Sequence, residues 1–115
     1  MGRKITKRGL TRKLDKLVSE IVRARGYCAW CHSTENLQCC HICSRRFRAT
    51  RWDMDNLICL CAKHHFYAHS QPILFSEFIK DYLGKEKFSQ LIMKSTMIKK
   101  WTLSEMSELL ETYER

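Results

Sequence analysis

The stretch "CAKHHFYAH", residues 61–69, carries three of the five histidines of the chain together with a cysteine, and its reading decides the fold. Cys61 and His64 stand at C-x-x-H spacing, and "YCAWCHS" (27–33) supplies the matching C-x-x-C of Cys28 and Cys31. Two such knuckles bring four thiolate and imidazole ligands around one Zn²⁺ in a closed tetrahedron. Residues 32–60 separate them, which is longer than a simple zinc ribbon allows, so this zinc would staple an inserted hairpin. Cys39, Cys43 and Cys59 are alternative ligands, or core positions of the two strands.

With Cys61 and His64 assigned, His65 and His69 remain, four residues apart. On a helix that spacing puts both imidazoles on one face, close enough to share an ion. The bland alternative is a pair of surface histidines that bind nothing.

Upstream, "NLQCCHIC" (36–43) and "DNLICLC" (55–61) are short apolar runs, which predict two antiparallel strands joined by a long loop. "AKHHFYAH" then predicts a short helix ending near Gln71 and Pro72. Residues 1–9 read as a basic arm. Leu10, Leu14, Leu17, Val18, Ile21 and Val22 recur at helical spacing, with Arg12, Lys13, Lys16, Arg23 and Arg25 on the other faces, so a basic helix is predicted over 10–26 with Gly26 as its stop. The extension 73–115 is helical by pattern: Phe75, Phe78, Ile79, Tyr82 and Leu83 share one face before Gly84, and Phe88, Leu91 and Ile92 resume it. "TLSE" (102–105) fits a capping box that opens a last helix. The expected architecture is one α+β domain over 1–115, with a zinc-stapled core at 27–70 between the basic helix and the helical extension.

Twenty-one Lys and Arg against twelve Asp and Glu leave a net charge of +9, which favours a polyanionic partner such as nucleic acid over an acidic protein. No run approaches the roughly 18 apolar residues of a membrane span. The opening "MGRKITKRGLTRKLDKL" lacks the apolar segment of a secretory signal, so a cytoplasmic protein is expected. In that compartment seven cysteines read as reduced thiols and metal ligands, and their odd number argues against a complete disulfide framework.

The order His41, Asn56, His65, set between two zinc knuckles, resembles the HNH endonucleases, whose ββα-metal fold (the His-Me finger) places a hairpin and a short helix around one divalent ion. The likeness covers residues 28–69. More narrowly, "HICSRRFRATRWDMDNLICLC" (41–61) looks like phage-type HNH proteins, including the NinG group of recombination proteins, which carry an Arg-rich segment between the first His and the Asn. A phage-encoded protein acting in the host cytoplasm is thereby suggested.

The resemblance implies that His41 is the general base that deprotonates a water for attack on the scissile phosphate. Asn56 would orient the hairpin and the His41 imidazole through hydrogen bonds, and His65 and His69 would hold the catalytic ion. Mg²⁺ or Mn²⁺ is expected there, with Ni²⁺ as an alternative. The chain departs from the pattern just before the base, where many relatives carry Asp or His and this chain has Cys40. As a ligand, its thiolate would favour softer ions than Mg²⁺.

Between base and Asn, Arg45, Arg46, Arg48 and Arg51 crowd into "SRRFRATRW" (44–52). Guanidinium groups pair bidentately with phosphate oxygens and would position a DNA backbone without reading its sequence. Arg51 pairing with Asp53 or Asp55 in a solvated loop is the alternative, and core packing is expected of Trp52. The resulting expectation is a metal-dependent DNA endonuclease that nicks or cuts both strands. The competing class is a non-catalytic, zinc-stabilised DNA-binding module.

Overall fold

Thr6 opens the first helix. Its hydroxyl accepts a hydrogen bond from the Gly9 N–H at 3.0 Å, satisfying one of the amides that a helix start leaves unpaired. In the computed structural model, which describes residues 4–115, helix α1 therefore runs Lys7–Arg23 rather than 10–26. The polar Lys7, Arg8 and Gly9 carry no apolar period, so the capping residue and not the hydrophobic pattern marks the true start. Of the expected basic arm, residues 1–3 lie outside the described residues and 7–9 belong to α1. At the other end Ala24 caps the helix, and Gly26, at φ +89°, turns the chain away two residues later.

Leu10, Leu14, Val18 and Val22 form the buried seam of α1, one residue per turn. They pack on a two-stranded antiparallel sheet, β1 (Leu37–His41) and β2 (Leu57–Cys61), paired in register from Leu37 opposite Cys61 to His41 opposite Leu57. Both strands are shorter than the apolar runs. Ile42 and Cys43 leave the sheet, and Met54–Asn56 form one turn of 3-10 helix, capped by the Asp53 carboxylate on the Asp55 N–H at 2.9 Å.

All five residues of β2 are buried, because both faces of the sheet are covered. Leu57 and Cys59 point into one core with α1, Trp52 and Met106. Ile58 and Leu60 point into a second core with Cys28, Cys40, Ala68, Phe75 and Ile79. Helices α2 (Ala62–Ser70), α3 (Pro72–Leu83) and α4 (Lys85–Ser95) follow in sequence, and α2 and α3 supply the second cover. Pro72 occupies the first turn of α3, where its missing N–H costs nothing, and Gly84 at φ +87° separates α3 from α4. The last helix, α5 (Leu103–Glu114), starts in the expected capping box: Thr102 Oγ accepts from the Glu105 N–H at 3.1 Å, and the Glu105 carboxylate accepts from the Thr102 N–H at 3.0 Å. It returns along α1, with Met106 buried and Leu109, Leu110 and Tyr113 packed against the same core.

Leu14 is fully buried where α1 meets the sheet. Leu14→Ala should cost about 3 kcal/mol, the transfer of the lost atoms plus a residual cavity, read from chemical unfolding of the zinc-loaded protein.

Candidate functional site

The two knuckles meet. Cys31 Sγ lies 3.8 Å from Cys61 Sγ, and His64 Nδ1 lies 3.4 Å from Cys61 Sγ and 3.8 Å from Cys28 Sγ. All four ligand atoms fall within 4.8 Å of one another. Zn–S bonds of about 2.3 Å at tetrahedral angles separate two sulfurs by about 3.8 Å, so the donor set fits a closed Cys₃His zinc centre. Among the described residues no other group of three or more His, Cys, Asp or Glu side chains converges in this way.

Local structure explains the convergence. The first knuckle is closed by the Cys28 N–H on the Ser33 carbonyl and the His32 N–H on the Cys28 carbonyl, both at 2.8 Å, with His32 in the left-handed region at φ +66°. The Trp30 N–H points at Cys28 Sγ from 3.4 Å, and the Ala29 N–H donates to the Cys59 carbonyl at 2.8 Å, which ties the knuckle to β2. Cys61 is both the last residue of β2 and the N-cap of α2, so His64 lies on the first turn beside it. Trp30 stacks on the His64 ring at 5.1 Å and on Phe78 at 4.1 Å, walling the centre off from the α3 side. The other cysteines lie elsewhere. Cys39 and Cys59 face each other across the strands on the α1 side, and burial pushes the Cys39 thiol up to about 11.

A second arrangement lies one residue further along α2. The His65 and His69 rings stand 5.2 Å apart and line a cavity of about 550 Å³ with His41, Arg45, Asp15 and Ser19. His65 Nδ1 is 2.7 Å from Gln38 Oε1 on β1; the amide oxygen can only accept, so Nδ1 carries the hydrogen and Nε2 keeps its lone pair. In the same way His41 Nε2 donates to the Arg51 carbonyl at 3.1 Å, which leaves Nδ1 as the proton acceptor. Burial lowers the His41 pKa from its ordinary value, outweighing the hydrogen bond to the Arg51 carbonyl, and burial followed by the neighbouring His69 lowers that of His65. Both imidazoles are biased toward the neutral form.

Three expectations change. Asn56 is fully buried but makes no hydrogen bond to the His41 ring; its Oδ1 accepts from the Cys43 N–H at 2.6 Å and its Nδ2 donates to the Cys43 and Thr50 carbonyls, both at 3.0 Å. It clamps the two ends of the Arg-rich loop, and so holds the carbonyl of the next residue, Arg51, against His41. Cys40 is no ligand in this arrangement. Strand alternation sends it to the opposite face from Cys39, 1% exposed among Ile58 and Ile79; burial pushes its thiol up to about 12, and its S–H donates to the His41 carbonyl. Among the described residues no third His, Cys, Asp or Glu side chain converges with the His65 and His69 pair.

Arg51, expected on DNA, is instead committed internally: its Nε and Nη2 donate to the Asp15 carboxylate at 3.0 and 2.6 Å. Arg45, Arg46 and Arg48 remain exposed on the loop. Asp15 itself escaped sequence reasoning. It also accepts from the Trp52 indole N–H at 2.8 Å, and although burial opposes its ionisation, the hydrogen bonds from Arg51 and Trp52 and the Arg51 charge hold its carboxyl below the usual carboxylate range. The available signal was one acid among Arg12, Lys13 and Lys16, beside the apolar seam of α1. Gln38 had no signal beyond its place on the predicted strand.

Compared with protein-family models, curated proteins and solved structures, the chain matches none. No helix among the described residues is long and apolar enough to cross a membrane.

The neighbouring histidines should separate in experiment. His64→Ala should abolish stoichiometric zinc retention and the cooperative unfolding transition, because a zinc centre supplies folding free energy directly. His65→Ala should keep both, as measured by metal analysis and thermal circular dichroism; equal loss in the two variants would refute the division.

Proposed function

We propose that this chain is a metal-dependent DNA endonuclease of the HNH type, its hairpin and α2 forming a ββα-metal module stapled by zinc. One observation carries the reading. His41 and the His65/His69 pair face a single cavity that Arg45 also lines, and each of His41 and His65 has one ring nitrogen tied to an acceptor and the other left with its lone pair.

In this reading the His41 Nδ1 takes a proton from a water as that water's oxygen attacks the scissile phosphorus. The bond to the 3′ oxygen then breaks, giving a 3′ hydroxyl and a 5′ phosphate once the leaving oxygen is protonated. The Arg51 carbonyl orients His41 and stabilises the imidazolium that forms. Asn56 maintains that carbonyl's place through the loop clamp. His65 and His69 would hold a divalent ion, whose chemistry when bound is to neutralise charge developing on the phosphate and the leaving oxygen. Two imidazoles without a carboxylate or thiolate suit Ni²⁺ better than Mg²⁺ or Mn²⁺, since imidazole favours the later first-row ions. Arg45 stands beside His41 in the same cavity, placed to bind a non-bridging phosphate oxygen.

Converting supercoiled plasmid to nicked or linear forms tests the reading. His41→Ala should lower the rate by about 10²-fold or more, the usual worth of a positioned general base. For the parent protein, kcat/KM should fall on the acid side with a midpoint below 6.5, because burial lowers the His41 pKa and keeps the base unprotonated to more acidic pH. A protein that binds DNA yet leaves plasmid intact with Mn²⁺, Ni²⁺ and Mg²⁺ would be the non-catalytic module instead.

A further inference from the structure

A second cavity, of about 390 Å³, lies where the start of α1, the Arg-rich loop and the α4–α5 connection meet. Its charged lining is entirely cationic: Lys7, Arg48, Arg51 and Lys100. Arg51 is neutralised by Asp15, and the nearby Lys94 and Lys99 are paired with Asp53 and Glu105. Lys7, Arg48 and Lys100 differ. No carboxylate of the described residues pairs with them, and all three are exposed. Three uncompensated cations around one cavity repel each other unless an anion joins them.

The cavity is also built rather than incidental. The Trp101 indole N–H donates to the Arg48 carbonyl at 3.0 Å, fixing the loop over the cavity, while the Trp101 ring packs edge-on against the buried Trp52 at 5.2 Å. Its position relative to the candidate catalytic cavity is defined by shared walls. Asp15 lines the one cavity and Arg51 the other, so their ion pair is the partition between them. The loop supplies Arg45 to the first and Arg48 to the second.

From this geometry we infer that Lys7, Arg48 and Lys100 form a phosphate-binding site for the same DNA backbone, which passes over the Asp15–Arg51 partition from the cavity of His41 along Arg45–Arg48. The inference rests on the nuclease reading for the identity of the polyanion. Its own content is a contact site that extends the DNA footprint from the loop onto α1 and the α4–α5 connection.

Binding of a short fluorescent DNA duplex to the zinc-loaded full chain, followed by anisotropy across a salt series without added catalytic ion, tests it. Lys7→Ala/Lys100→Ala should reduce the slope of log K against log salt by about 1.8, since each phosphate contact contributes about 0.9. Lys80→Ala/Lys85→Ala removes the same charge from the exposed side of α3 and α4 and should leave the slope near that of the parent. Circular dichroism and zinc content check that both variants fold. An unchanged slope in Lys7→Ala/Lys100→Ala, an equal loss in the control pair, or no binding by the parent overturns the site. A reduced slope in a protein that never nicks plasmid upholds the site and removes the nuclease reading; nicking with an unchanged slope does the reverse.

Discussion

Burial of β2 on both faces is the constraint on which the rest of the structure depends. A two-stranded hairpin is marginal in water, and five consecutive buried residues can be accommodated only if each side of the ribbon has its own cover. The seam of α1 with α5 provides one cover and α2 with α3 the other. The strand is also held at both ends by polar chemistry. Asn56 stands just before it and spends its whole amide on the loop backbone, whereas Cys61 closes it and belongs to the Cys₃His cluster. An apolar strand with a hydrogen-bonded clamp at one end and a residue of the Cys₃His cluster at the other has little freedom to slip register.

That fixed register sets which chemistry appears where. Because side chains alternate, Cys39 and His41 look toward α1 while Cys40, between them, looks into the opposite core. On α2 the corresponding sorting is angular: His64 turns toward the knuckles, and His65 and His69 turn toward the cleft. Asp15 then joins α1 to this arrangement. By fixing Arg51 and Trp52 together it holds the segment whose carbonyl orients His41, so a helix outside the hairpin contributes to the geometry of the cleft.

Much of this was legible in the residues. The C-x-x-C and C-x-x-H spacings picked out the four ligands that converge, the apolar runs contained both strands, and "TLSE" marked the start of α5. Local signals of this kind survive because neighbouring residues determine them. The misreadings involve partners distant in sequence. Arg51 was weighed against Asp53 and Asp55, and its partner is 36 residues away on α1. Cys40 was judged by its position before His41, although strand parity decides its surroundings. Asn56, expected on both the hairpin and the imidazole, bonds only to the backbone of Cys43 and Thr50. The start of α1 was missed because a cap, and not an apolar period, defines it.

The placement of Cys61 has a consequence for biosynthesis. This residue ends β2, caps α2 and belongs to the metal cluster, while its partners Cys28 and Cys31 emerge from the ribosome some thirty residues earlier. The first knuckle must wait as an open, two-thiol half-site until the hairpin and the first turn of α2 have been made. Zinc binding there would tie the first turn of α2, which carries His64 next to His65, to the first knuckle. Completion of the Cys₃His cluster therefore waits on synthesis of α2, however early the first knuckle is made.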